Sequence, residues 1–400
     1  MLNRRKFLQT TLAGTALYAG MDRMALANTG AEARLVLVIL RGGMDGLAAV
    51  PAYGEGNYKK LRGSLALAAP DKNNGVLDLD GLFALHPNLK NLHELYKRKE
   101  LLIAHAVATS YRERSHFDGQ KQLENGTDSP LGAQDGWLNR ALSFIPAGAN
   151  EAIALAQNIP LVLYGEAKVD SWSPAQLPEA DTDTIARIAR MYEVDAFFSS
   201  QFESALKTRA MAEEITDGNT MANGRGRGRQ NTAVLVKAAG KFLQDANGPR
   251  IAVIESSGWD THANQGAAQG QLANQFTQLD TNISSLQQEL GEAWKHTVVL
   301  VASEFGRTVA VNGSNGTDHG TGNVAFVLGG AVNGGRIISD WPGLAKTNLY
   351  EGRDLKATTD IRSLFKSILH EHLHVANQSL EKTIFPDSSM VKMIPDLLIS

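Results

Sequence analysis

Five short apolar runs punctuate the chain, each bordered by glycine-rich or polar residues. Leu35–Leu40 (LVLVIL), Leu101–Val107 (LLIAHAV), Ile251–Glu255 (IAVIE), Thr297–Ala302 (TVVLVA) and Val324–Leu328 (VAFVL) run on without polar alternation and are rich in β-branched side chains. A strand covered on both faces has no solvent side to keep polar, so these runs predict central strands of a parallel sheet. Between the third and fourth runs, Leu272, Phe276, Leu279, Ile283, Leu286 and Leu290 recur at steps of four and three, which gathers them on one stripe of a helix. Strands alternating with such helices predict an α/β fold: a doubly wound, largely parallel sheet flanked by helices.

Length and composition fit that picture. With 400 residues, 43% of them hydrophobic, the chain can bury a large core. Residues 181–214 read as helical, and Asn223–Arg229 (NGRGRGR) then breaks the pattern. Arginines spaced by glycines are held in no fixed geometry, so this stretch is read as a solvated connector closing a helical insertion near 181–230. No linker divides the rest, and residues 28–400 are expected to form a single domain. The first 27 residues differ in kind: Arg4-Arg5-Lys6-Phe7-Leu8, a moderately apolar stretch from Thr10 to Gly20, and Ala25-Leu26-Ala27 have the form of a twin-arginine signal peptide. The apolar stretch falls short of the roughly 20 residues that span a bilayer, and no other segment is long enough. The expectation is export in folded form through the twin-arginine translocase to the periplasm, with no stable membrane anchor.

Charge and cysteine content narrow the chemistry. A formal net charge of -3 argues against a general nucleic-acid binder. The absence of cysteine removes disulfides, thiolate metal sites and cysteine nucleophiles, leaving His, Asp, Glu and hydroxyls as metal ligands. In open α/β sheets, groups that act on a ligand gather beyond the carboxyl ends of the strands. That rule selects Arg41–Gly46 (RGGMDG) with Asp45, and Ser110–Asp118 (SYRERSHFD), where Ser115 stands at a helix start as an N-cap or a nucleophile. It also selects Gly258–His262 (GWDTH), Ser303–Thr308 (SEFGRT) and the glycine-rich loop Gly316–Gly320 (GTDHG). Asp260 and His262, two apart in an irregular segment, can turn toward one cation. Carboxylates clustered at one sheet edge repel one another unless a cation compensates them. His86, His93, His105 and His296, and the run His370–His374 (HEHLH), are read as structural, the run as a surface helix end.

Taken in order, LRGGMDGL, RSHFDGQ, GWDTH, SEFGRT, GTDHGTGN and the later DWPGL (Asp340–Leu344) resemble domain-of-unknown-function family 1501, placed in the alkaline-phosphatase-like superfamily. The resemblance covers nearly the whole of the chain after the signal peptide. It implies an alkaline-phosphatase-like fold and a phosphoryl- or sulfuryl-transfer site built on divalent metal ions such as Zn, Mn, Mg or Ca. Asp45 would hold a metal beside the nucleophile Ser115, Asp260 and His262 would hold a second, and His319 would complete it. The full set of candidate ligands is Asp45, His116, Asp260, His262, Glu304, Asp318 and His319, with Arg114 or Arg307 gripping the anionic oxygens of a small ester substrate. The chain departs from the superfamily after the strand at Thr297: an adjacent Asp-His pair is usual there, and this chain has Ser303-Glu304.

Two functions follow. The first is an exported metal-dependent hydrolase of phosphate or sulfate esters. The second is a non-catalytic periplasmic binding or assembly protein that keeps the fold, a reading favoured by Ser303-Glu304. A nicotinamide or flavin oxidoreductase is disfavoured, because Gly42-Gly43 leads into Met44-Asp45 with no G-x-G-x-x-G opening a helix.

Overall fold

The computed structural model describes residues 32–146, 151–174, 182–192, 194–215 and 232–399. Residues 1–27, read above as a signal peptide, and the basic stretch Asn223–Arg229 lie outside the described residues. In chain order the strands are β1 (Arg34–Arg41), β2 (Leu77–Asp78), β3 (Ala84–Leu85), β4 (Leu101–Ala108), β5 (Ala152–Leu155), β6 (Asp170–Ser171), β7 (Ile251–Ser257), β8 (Thr297–Ser303), β9 (Asn323–Leu328), β10 (Arg336–Ile338) and β11 (Thr359–Asp360). The helices are α1 (Gly46–Ala49), α2 (Tyr58–Arg62), α3 (Lys90–Lys97), α4 (His116–Asn125), α5 (Trp137–Leu142), α6 (Thr182–Tyr192), α7 (Ala196–Ile215), α8 (Thr232–Gln244), α9 (Gln271–Leu290) and α10 (Arg362–Glu371).

The main sheet runs β10-β4-β9-β8-β1-β7-β5-β6, with β11 also paired to β4. It is largely parallel: β1 pairs in parallel with β7 and β8, β5 with β6 and β7, and β4 with β10 and β11. Among the described strands of this sheet only β9 runs the other way, antiparallel to both β4 and β8. The five apolar runs are therefore strands within a residue or two of their expected ends, and the helix expected at Leu272–Leu290 is α9. Strands β5, β6, β10 and β11 carry no comparably long apolar run, being only two to four residues each, and went unread.

Both faces of the sheet are covered, which explains the unalternated strands. On one face Val36, Val38 and Leu40 of β1 pack with Phe242 of α8 and with Phe276 and Leu286 of α9. On the other, Leu35, Leu37 and Ile39 meet Trp137 of α5 and Phe365 of α10, whose rings stack at 4.7 Å between centroids. Each such fully buried side chain contributes roughly 2 kcal/mol relative to exposure, so the rigidity of the platform comes from these two layers. The HEHLH run differs from its surface reading: His372 is buried and donates from Nε2 to the Arg34 carbonyl at 2.9 Å, tying the end of α10 to β1. No helix among the described residues is long and apolar enough to cross a membrane.

Candidate metal centre

The carboxyl ends of β1, β4, β7 and β8 share one sheet edge, because these strands are parallel to one another. His116, the first residue of α4, follows β4; Asp260 and His262 follow β7; Glu304 and Arg307 follow β8. The loop holding Asp318 and His319 precedes β9, and in an all-parallel sheet it would lie at the opposite edge. The reversal of β9 is what brings it to the others. Glycines let these segments stack. Gly42 has φ of +123°, and a Cβ there would stand 2.6 Å from the Asp260 nitrogen; one on Gly316 would stand 2.3 Å from the carbonyl carbon of His262.

Three imidazoles and one carboxylate converge. His319 Nε2 lies 2.9 Å from Nε2 of His116 and 2.9 Å from Nε2 of His262. Asp260 reaches all three, with Oδ1 at 3.0 Å from His262 Nε2 and 3.3 Å from His319 Nε2, and Oδ2 at 3.5 Å from His116 Nε2. His116, Asp260 and His319 each offer a ligand atom within 4.8 Å of the others, a span one ion can bridge. The outer nitrogens settle the protons. His116 Nδ1 faces Glu304 Oε1 at 2.7 Å, His319 Nδ1 faces the Arg114 carbonyl at 2.9 Å, and His262 Nδ1 faces Asp318 Oδ1 at 3.4 Å. Each of these partners only accepts, so each Nδ1 carries the hydrogen and each Nε2 presents a lone pair inward. Lone pairs 2.9 Å apart beside a carboxylate repel unless a cation or a shared proton stands between them. This donor set of nitrogen and carboxylate oxygen fits a divalent cation of borderline character.

A family model described as a protein of unknown function, DUF1501, matches residues 32–384. The chain belongs to this family. Curated proteins yield no match. Among solved structures, this DUF1501 chain is similar to the C-terminal periplasmic domain of EcEptC from Escherichia coli in complex with Zn, at 10% identity and TM-score 0.43, over 92% of each chain. It is also similar to the phosphonate monoester hydrolase of Agrobacterium radiobacter, at 13% identity and TM-score 0.35, over 85% of this chain and 73% of that one. The PsFucS1 sulfatase from Pseudoalteromonas sp. is a third, at 13% identity and TM-score 0.38, over 91% and 71%.

Charge is arranged around the DUF1501 cluster in a consistent sense. Burial alone would push Glu304 up, but hydrogen bonds from His116, from Gln120 one turn further along α4 and from the Gly42 N–H hold its carboxyl at about 2. The same Glu304 contact raises His116 against the effect of its burial, while burial lowers His319. The two touching rings are thus shifted in opposite directions, His116 by its carboxylate partner and His319 by burial. For Asp260, burial raises the carboxyl and the Arg307 guanidinium more than reverses it. Asp318 is lowered, first by Asn312. The Glu304 and Arg307 side chains are sealed, whereas those of Asp260 and His262 are 41% and 45% exposed, so the cluster opens to solvent on their side.

The remaining candidates sit apart from the four convergent groups. Asp45 is buried beneath them: Oδ1 caps α1 through the Ala48 N–H, and Oδ2 accepts from Arg62 and Gln265. It is committed to that ion pair rather than to the cluster. Glu304 and Asp318 orient imidazoles from outside. Arg307 binds Asp260 through Nη1 at 2.6 Å and is 2% exposed, and Arg114 turns to Glu351 and Asp354, so carboxylates already occupy both guanidinium groups. Arg114 adopts a left-handed φ of +61°, uncommon for a non-glycine residue, and its carbonyl meets His319. Ser115 stands at the N-cap of α4, yet its hydroxyl bonds none of the first-turn N–H groups. Sequence reasoning overlooked Gln120, Gln265 and Thr317, whose neutral side chains carry no titration or ligand signature. It also gave no role to Phe305, a buried ring with its centroid 4.8 Å from that of His116 and 5.1 Å from that of His319.

Proposed function

We propose that this DUF1501 protein is an exported, metal-dependent hydrolase of phosphate or sulfate esters. One observation carries the reading: three imidazoles turn Nε2 inward beside the Asp260 carboxylate, with His319 Nε2 2.9 Å from that of His116 and 2.9 Å from that of His262. His116, His262, His319 and Asp260 would hold the ion. When bound, a divalent cation at such a site supplies Lewis-acid polarisation of an ester oxygen and lowers the pKa of a coordinated hydroxyl or water.

This chain's own residues supply the rest. His116 is the first residue of α4, so the unpaired N–H groups and positive end of that helix lie at the cluster and favour a tetrahedral anion. Ser115 directly precedes His116, and with its hydroxyl uncommitted to capping it is the candidate nucleophile. Glu304 and Asp318 fix the imidazoles; Arg307 holds Asp260 ionised and in place. With Asp45 paired to Arg62 and Glu304 engaged on His116 Nδ1, the arrangement supports one cation rather than two.

The test is a metal analysis and activity screen on protein purified from periplasm. Zn, Mn, Mg and Ca contents are measured, and phosphomonoester, phosphodiester and sulfate ester substrates are assayed with each ion. Metal-dependent turnover that is removed by a chelator and by Ser115→Ala is expected. Bound metal without turnover, together with a partner recovered by pull-down, favours the non-catalytic binding or assembly role; neither metal nor turnover overturns the proposal.

A further inference from the structure

Beneath the cluster lies a buried polar chain that ends on Asp260. Arg62, Asp45, Gln265, Thr317 and Arg307 are each at most 2% exposed. Gln265 Nε2 donates to Asp45 Oδ2 at 2.7 Å, and Gln265 Oε1 accepts from the hydroxyls of Thr261 at 2.9 Å and Thr317 at 2.8 Å. The reversed amide would set its oxygen against the Asp45 carboxylate, so Asp45, held by Arg62, permits one orientation of Gln265. That orientation obliges Thr317 to donate its only hydroxyl hydrogen to Gln265. Its oxygen lone pairs are then left to receive Arg307 Nε at 3.2 Å, while the Thr317 carbonyl takes Nη2 at 2.6 Å. Two of the three guanidinium nitrogens are thereby fixed by one residue, and the third, Nη1, points at Asp260 Oδ1.

On the metal-site reading above, we infer that Asp45, Gln265 and Thr317 are positioning residues: through Arg307 they fix the Asp260 carboxylate against the three imidazoles and so set the affinity of the site for its cation. Donation runs from Arg307 through Thr317 and Gln265 to Asp45 on one side and from Arg307 to Asp260 on the other, with each proton assigned by its neighbour. A directional network of this kind holds a planar guanidinium more tightly than a lone ion pair does.

The experiment is a competitive Zn(II) titration of the metal-free protein with a chromophoric chelator, alongside thermal unfolding of each metal-free variant. Thr317→Val keeps the shape and removes the hydroxyl; it is expected to weaken Zn(II) binding by about 10- to 100-fold, the usual cost of losing an outer partner, while Thr317→Ser stays within about threefold of wild type. Arg307→Lys keeps the charge but loses the fork, and Thr317→Val added to it is expected to cost less than about threefold more, because the effect travels through Arg307. A residue that only stabilises the loop would lower the unfolding temperature without that non-additivity. Should Thr317→Val not fold, Gln265→Met removes the next link and enters the same cycle. Wild-type protein that takes up no Zn(II) overturns the metal reading itself. Wild-type uptake with undiminished affinity in the hydroxyl-less variant, or full additivity with Arg307→Lys, overturns the relay alone.

Discussion

Two sets of three histidines sit in this molecule in opposite tautomers. In the core, His105 donates from Nε2 to the Val50 carbonyl at 3.0 Å and accepts at Nδ1 from the Ala106 N–H at 2.8 Å. His86 repeats the pattern with the Ala267 carbonyl and the Asn88 N–H, and His372 donates from Nε2 to the Arg34 carbonyl. At the sheet edge, acceptors meet Nδ1 instead, so Nε2 is left bare and faces its counterparts. What sits behind each imidazole decides which nitrogen keeps its lone pair. An acceptor at Nδ1 creates an inward lone pair, whereas an acceptor at Nε2 uses the ring up as a satisfied core donor.

The largest expected effect separates the two sets directly. His319→Ala removes the ring that touches both of its neighbours, and Zn(II) binding measured by competitive titration should fall by more than the 10- to 100-fold typical of an outer partner. His105→Ala should leave that affinity intact while lowering stability. Equal loss of affinity in both variants would break the distinction.

Next in size is an acid response of the core set. His86, His105 and His372 are each lowered from 6.5 to about 4, in every case chiefly by burial. The unfolded chain therefore takes up these protons at a higher pH than the folded one. Stability is full above about pH 6.5 and is lost as the pH falls through 4, by on the order of 3 kcal/mol per ring. Denaturant unfolding of the metal-free protein at pH 7, 5.5 and 4 measures it, and a flat profile would show that these rings are not held neutral.

Smaller effects grade the outer partners. Glu304→Gln keeps an acceptor behind His116 but removes the charge, and a loss of roughly 10-fold in Zn(II) affinity is expected. Asp318 is half-exposed and 3.4 Å from His262, so Asp318→Asn should cost no more than about threefold, as screening by solvent implies. If the exposed carboxylate matters as much as the sealed one, burial does not set the strength of these contacts.

The strands and the site differed in how far they could be read. Leu35–Leu40 and its four counterparts were legible because a strand buried on both faces leaves a local mark, a short β-branched run without polar alternation bounded by glycine or polar residues. The convergence of His116, Asp260, His262 and His319 was legible only as a gathering of loops at a sheet edge. Asp45 was drawn into the same group because it too follows a core strand. Nothing near Asp45 in the sequence announces that Arg62 and Gln265 claim its carboxylate, since Gln265 is 220 residues away.

Apolar runs in the sequence mark five of the buried strands and the helix stripe that covers them, and the lack of cysteine leaves imidazoles, carboxylates and hydroxyls for any metal, because burial and side-chain chemistry are properties of single residues and their near neighbours. Long-range pairing alone set β9 against the sheet and so carried His319 to the edge shared by His116, Asp260 and His262. It also decided which nitrogen of each imidazole meets an acceptor, and which charged side chains are spent on one another. Those outcomes depend on pairs brought together across hundreds of residues, where orientation, which the sequence does not record, sets the chemistry.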